Sequence, residues 1–128
     1  MNQILLVEPD YKLARIYKKA LEEHGHTVDL ANTAQTGVMS ADNQKPDLVI
    51  LELQLVEHSG IEFLYEFRSY NEWQGIPVIV HSQVPPGEFN GSWQVLTDEL
   101  GVQEYMYKPK TSLKQLTNKI DALLAVKV

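Results

Sequence analysis

The sequence predicts an α/β fold: a five-stranded parallel sheet with helices packed on both faces. Apolar runs of strand length alternate with stretches of helical period from one end of the chain to the other. The strongest runs are apolar at successive positions rather than alternate ones, which suits strands covered on both sides. With 128 residues, 44% of them hydrophobic and 22% charged, the chain has the size and composition of a single domain around one core. Right-handed crossovers between parallel strands must each pass over a face of the sheet, so five such units put helices on both.

Ile4 to Val7 is a continuous β-type run, and Leu13, Ile16, Tyr17, Ala20 and Leu21 then follow at helical spacing until Gly25 stops them. Thr27 to Ala31 is a second strand. Asn32 or Thr33 caps a weaker helix toward Asp42, and Lys45 with Pro46 breaks it. Leu48 to Leu53 is apolar throughout except for Glu52, an acid at the end of a buried strand. After a loop closing at Gly60, residues Ile61, Leu64, Tyr65, Phe67 and Arg68 trace a helix, and Ile76 to Val80 reads as a fourth strand. Pro85, Pro86, Gly87 and Gly91 make the next segment irregular, ahead of a short helix from about Ser92 or Trp93 to Leu100. Val102 to Tyr107 is the fifth strand. Ser112 begins a last amphipathic helix with Leu113, Leu116, Ile120, Leu123 and Leu124 on one face.

Composition removes several function classes. The chain has no cysteine, so disulfides, thiolate catalysis, iron–sulfur clusters and cysteine zinc sites are excluded. Its net charge of -6 repels nucleic acid and anionic lipid, so no direct contact with either is expected. No apolar stretch reaches the roughly 18 residues of a membrane helix and no basic leader precedes Ile4, which leads us to expect a soluble, cytoplasmic protein. His24, His26, His58 and His81 are scattered over helix ends, loops and a strand, a poor arrangement for a histidine metal site.

Open parallel sheets place their chemistry at the carboxyl ends of the strands. The residues there are Glu8, Pro9 and Asp10 after the first strand, Glu52 at the third, Ser82 after the fourth, and Lys108 with Pro109 after the fifth. Acids, a hydroxyl and a lysine converge on one crevice.

In these segments the chain resembles the receiver domains of two-component response regulators, over essentially its whole length. ILLVEPD stands at the family's acidic pair and PDLVILELQLVEHSG at its phosphorylated strand and loop. PVIVHSQ stands at its hydroxyl, and YMYKP at its switch aromatic and Lys-Pro. The resemblance implies the flavodoxin-like (βα)5 receiver fold. It also implies a phospho-acceptor at Glu52, an acidic pocket at Glu8 and Asp10, phosphoryl-binding and switch positions at Ser82, Tyr105, Lys108 and Pro109, and Mg2+ as the family's cofactor. The match departs from the family where the chemistry is most demanding. The acceptor is glutamate, not aspartate, and one added methylene spoils an in-line attack whose geometry must hold to about half an ångström. Pro9 replaces the second acid of the pair, removing a carboxylate that would anchor Mg2+. Val56 replaces a loop proline, and Gln83 replaces the small residue that follows the hydroxyl.

The expectation is therefore a pseudo-receiver that needs no phosphorylation and no cofactor, binds protein and is not an enzyme. Its interaction face is expected on the fourth helix, fifth strand and fifth helix, around Trp93, Tyr107 and Lys114 with Lys110 and Lys119 nearby, and its occupant is a protein partner or a second copy. The alternative is a conventional regulator that binds a divalent cation through Glu8, Asp10 and Glu52 and answers to a histidine kinase. A nucleotide- or flavin-binding enzyme is disfavoured because VEPDYK, after the first strand, is acidic and lacks a Gly-rich phosphate loop. Simpler roles compete at single positions. Asp10 suits a helix N-terminus, Ser82 a loop hydroxyl that satisfies backbone, Lys108 a solvated charge, and Tyr105, Trp73 and Trp93 core or partner packing.

Overall fold

The computed structural model describes residues 2–55, 58–89 and 94–125. Five strands, β1 (Gln3–Val7), β2 (Thr27–Ala31), β3 (Leu48–Leu51), β4 (Val78–Ser82) and β5 (Val102–Tyr107), form one parallel sheet in the order β2-β1-β3-β4-β5. The helices α1 (Tyr11–Glu23), α2 (Ala34–Asn43), α3 (Gly60–Ser69) and α4 (Leu113–Ala125) alternate with them. The predicted sheet and topology class are the observed ones.

Apolar residues on successive strand positions divide between two cores. Leu5, Val7, Val49, Leu51, Val78 and Val80 pack under α2 and α3, where Phe63, Phe67 and Trp73 stack with centroids 5.3 and 5.0 Å apart. Ile4, Leu6, Leu48, Ile50 and Ile79 pack on the other side under Ala14 and Leu21 of α1 and Leu116, Ile120 and Leu124 of α4. Each such side chain, fully buried, contributes roughly 1.5 to 3 kcal/mol of transfer free energy. Trp73 is therefore core.

Local chemistry sets the helix ends. The Asp10 carboxylate accepts from the amides of Lys12 and Leu13, Thr33 and Thr36 form a reciprocal capping box, and Ser59 accepts from the Glu62 amide. Ser112 and Gln115 exchange side-chain and amide hydrogen bonds at the start of α4. Beyond α1, Gly25 takes a φ of +91°, a conformation that L side chains rarely adopt.

Two expectations need correction. The fourth strand runs from Val78 to Ser82, not from Ile76 to Val80, so Ser82 closes the strand instead of following it. Between β4 and β5 the described residues hold no regular helix reaching Leu100; Val95–Glu99 is a π-helical turn, closed by the Leu100 amide on the Val95 carbonyl at 3.0 Å. Where the expected helix begins, at Ser92 or Trp93, lies outside the described residues, as does Val56. No helix among the described residues is long and apolar enough to cross a membrane.

Candidate functional site at the carboxyl ends of the strands

Parallel register brings the residues after the strands to one rim. Val7 pairs with Leu51, and the Glu52 amide donates to the Val7 carbonyl at 3.0 Å, so Glu8 and Glu52 leave adjacent strands side by side. Ser82 pairs with Tyr107, which places Lys108 one residue beyond the hydroxyl. A bulge between Val78 and Ile79 shifts the β4–β5 register, so that Ile79 faces Glu104.

Lys108 lies between the two acids. Its Nζ donates to Glu8 Oε1 at 2.5 Å and to Glu52 Oε1 at 2.7 Å. Only 8% of the lysine side chain and 3% of each glutamate are exposed, so the three form one buried electrostatic unit and not a surface pair. Glu52 is saturated. Its Oε1 also accepts from the Gln83 amide at 3.1 Å, while Oε2 accepts from the Gln54 amide at 3.1 Å and from the Ser82 hydroxyl. Glu8 uses its second oxygen to accept from the Asp10 amide at 3.1 Å.

The donor counts separate the two acids. Burial works to raise both carboxyl pKa values. At Glu8 burial prevails over Lys108 and the Asp10 amide, and the pKa is raised. At Glu52 the combined donation of Lys108, Ser82 and the Gln54 amide prevails, and the pKa is lowered. Burial works to lower the pKa of Lys108, but Glu52 and Glu8 reverse it and raise the value, holding the ammonium charged.

A second chain of bonds leaves the pocket through Ser82. Its Oγ accepts from the Val84 amide at 3.0 Å, and the Val84 carbonyl accepts from the Tyr105 hydroxyl at 2.6 Å. Tyr105 packs against the core under α2 and α3. Carboxylate, hydroxyl, loop backbone and aromatic ring are thereby linked in sequence.

Of the residues expected at the site, Glu8, Glu52, Ser82 and Lys108 meet directly, and Tyr105 joins them through Val84. Asp10 does not: its carboxylate is the exposed N-cap of α1, and only its amide reaches Glu8. Pro109 is exposed within the turn Lys108–Lys110, and the Gln83 side chain is exposed beyond the pocket while its amide serves it. Tyr107 and the exposed Lys114 lie on β5 and α4, and Tyr107 with Lys110 and Lys119 lines a groove between those elements. Trp93, expected on the same face, lies outside the described residues.

His81 was not anticipated. It is buried on the side of β4 that faces α1, 5.2 Å from the Tyr17 ring, and burial followed by the nearby Lys108 charge lowers its pKa to about 4. A histidine inside the apolar run PVIVHSQ was the available signal. The amides of Gln54, Gln83 and Val84 carry none, because backbone donors are common to nearly all residue types.

The Mg2+ that the resemblance implies is poorly served by these residues. The Lys108 ammonium already occupies one oxygen of each of Glu8 and Glu52, Pro9 offers no side-chain oxygen, and Asp10 is committed to its cap. Among the described residues no group of three or more acids or histidines is arranged to hold a metal.

The model of the response regulator receiver domain matches residues 4–121. The KDP operon transcriptional regulatory protein KdpE of Escherichia coli is 36% identical over 109 residues, which cover 85% of this chain and 45% of that protein. PhoP, the alkaline phosphatase synthesis transcriptional regulatory protein of Bacillus subtilis, is 28% identical across 96% of this chain and 48% of its own length. This chain thus spans about half the length of these relatives. A CheY-like receiver domain protein from Methanospirillum hungatei superposes with a TM-score of 0.85 at 25% identity, covering 98% of this chain and 94% of that one. The non-phosphorylated HemR receiver domain from Leptospira biflexa does so with a TM-score of 0.82, also at 25% identity, covering 97% and 94%. The order of strands, the rim of Glu8, Glu52, Ser82 and Lys108, and a family match over nearly the whole chain lead to one conclusion: this chain belongs to the response regulator receiver domain family.

Proposed function

We propose that this receiver domain works without phosphorylation, as a protein-interaction module in two-component signalling, and that it is a binding protein and not an enzyme. The saturation of Glu52 is the observation that supports this reading. A nucleophile must direct a free lone pair at phosphorus, and Glu52 can do so only by surrendering Lys108, Ser82 or a backbone amide. The extra methylene also moves the carboxylate away from the position an aspartate would hold. On this reading no Mg2+ is needed, since Lys108 supplies the positive charge between the acids.

Glu52 then acts as a permanent charge where a phosphorylated side chain would carry nearly two, partly neutralised by Lys108. Through Ser82 and Val84 that charge holds the loop after β4 against Tyr105, which biases the domain toward one conformation. The partner face is the groove between β5 and α4, where Tyr107 offers contact area and Lys110 positive charge, with the exposed Lys114 nearby on α4, while Lys119 is paired with Glu104 at 3.4 Å. Its occupant is a protein partner or a second copy. KdpE and PhoP are named as transcriptional regulatory proteins; this domain's own part in any such role runs through protein contacts, because its net charge of -6 opposes direct binding to nucleic acid.

The test pairs metal and partner measurements. Mg2+ titrated against the domain should leave tryptophan fluorescence unchanged. Binding to the partner, or dimerisation, should be lost in Tyr107→Ala with Lys114→Glu while circular dichroism stays the same. A saturable Mg2+ response would revive the conventional reading, and binding that survives both substitutions would remove this face from the proposal.

A further inference from the structure

The two helical layers carry opposite charge. Helices α1 and α4 together hold six basic residues against three acids, whereas α2, α3, the turn Asn71–Trp73 and the π-helical turn hold six acids against one base. The charge on α1 is also placed against its own dipole. Lys12, Arg15, Lys18 and Lys19 occupy its first nine positions, Glu22 and Glu23 close it, and no acid stands in its first turn and no base in its last. Cations at a helix N-terminus and anions at its C-terminus both destabilise the helix, so helix stability does not explain this pattern. Lys18 has a partner in Glu22 at 4.0 Å, but Arg15 and Lys19 make no ion pair with any described residue, and Arg15 rests over the exposed Tyr11 ring.

The α3 helix presents the complement. Glu62 and Glu66 are exposed with the spacing of Arg15 and Lys19, four residues apart, so each pair rises by about 6 Å along its helix; Glu62 also meets the exposed His58 ring at 2.7 Å, whereas Glu66 makes no ion pair with any described residue. Each pair flanks an exposed apolar side chain, Ile16 on α1 and Tyr65 on α3, each 54% exposed. One helix face therefore offers two cations around an aliphatic residue, and the other offers two anions around an aromatic one. The two faces cannot meet within a chain, because α1 and α3 pack on opposite sides of the sheet.

We propose that copies of this chain associate head to tail, the α1 face of one molecule seated on the α3 face of the next. The contact is heterologous, so it leaves a free face at each end and propagates beyond a dimer. It is independent of the acid pocket and of the β5–α4 groove. An extended polyanion such as a duplex or an anionic membrane suits α1 less well, since the rest of the acidic domain would face it. At about 0.15 M salt, screening beyond roughly 8 Å mutes the repulsion between two chains of charge -6 while contact pairs persist.

Charge reversal tests the proposal. One variant carries Arg15→Glu with Lys19→Glu, the other Glu62→Lys with Glu66→Lys, and circular dichroism establishes that each folds. In sedimentation velocity at 0.15 M salt the unaltered chain should grow in mass with concentration past the dimer, and the growth should shrink at 1 M salt. Each variant alone should associate at least about tenfold more weakly, because like charges then face each other. Mixing the two should restore growth, because the reversed α1 of one matches the reversed α3 of the other. A monomer at every concentration, a mass that stops at the dimer, or variants that fail to rescue each other would overturn the proposal. Growth past the dimer that Tyr107→Ala abolishes would belong to the β5–α4 groove and would also overturn the proposal. If a variant does not fold, the salt response and stoichiometry of the unaltered chain decide the matter.

Discussion

The Tyr105 hydroxyl donates to the Val84 carbonyl at 2.6 Å, and the amide of the same Val84 donates to Ser82 at 3.0 Å. Tyr105 and Ser82 therefore act on opposite sides of one residue, and disturbing either should be felt by the other. Tyr105→Phe should cost about 1 kcal/mol and Ser82→Ala about 1 to 2 kcal/mol, the latter because Glu52 and the Val84 amide each lose a partner. The double variant should cost less than the sum, with a coupling of at least about 0.5 kcal/mol in urea unfolding. Strict additivity would mean that the two bonds are independent.

Lys108 is the sole cation in direct contact with the buried Glu8 and Glu52 among the described residues. Lys108→Met should destabilise the fold at pH 7 by roughly 3 kcal/mol, because two carboxylates are left facing each other. Without the lysine both carboxyl pKa values rise above their unfolded values, so the folded variant takes up protons first and regains stability as the pH falls. The deficit should be smaller at pH 5 than at pH 7 by denaturant unfolding, and an equal deficit at both would exclude this origin. In the unaltered chain the raised pKa of Lys108 gives the opposite window: its contribution is complete below the ordinary lysine value and is lost as pH rises through the raised one.

His81 should limit stability on the acid side. With a folded pKa of about 4 against 6.5 unfolded, it binds a proton in the unfolded chain first, so stability falls as pH drops from 6.5 to about 4. The full loss is on the order of 3 kcal/mol, offset in part by Glu8, whose raised pKa has the opposite sign. His81→Phe keeps a ring against Tyr17 and should flatten this limb in thermal melts. An identical pH profile in that variant would assign the acid loss to other groups.

The rim was legible in the sequence because its chemistry follows strand ends, and a parallel sheet aligns those ends: Glu8, Glu52, Ser82 and Lys108 were each visible after an apolar run. The limits of β4 were not. Ile76 and Pro77 look like strand, but a proline has no amide to donate, whereas His81 and Ser82 look like loop and lie buried in the ladder, His81 beside Tyr17 and Ser82 bonded to Glu52. The π-helical turn was equally hidden, since Val95, Leu96 and Leu100 fit a helical period and nothing in them reports a five-residue step. Asp10 was readable in two ways, as pocket acid and as N-cap, and its carboxylate took the cap. The link through Val84 is backbone alone, so no side-chain pattern announces it.

Intact-mass spectrometry after incubation with acetyl phosphate and Mg2+ tests the central proposal most directly. Glu52→Asp with Pro9→Asp restores the family's acceptor and its acidic pair, and serves as the positive control. The unaltered chain should show no added mass while the double variant gains that of one phosphoryl group. A single phosphoryl adduct on the unaltered chain, mapped to Glu52, would contradict the proposal that this receiver works without phosphorylation.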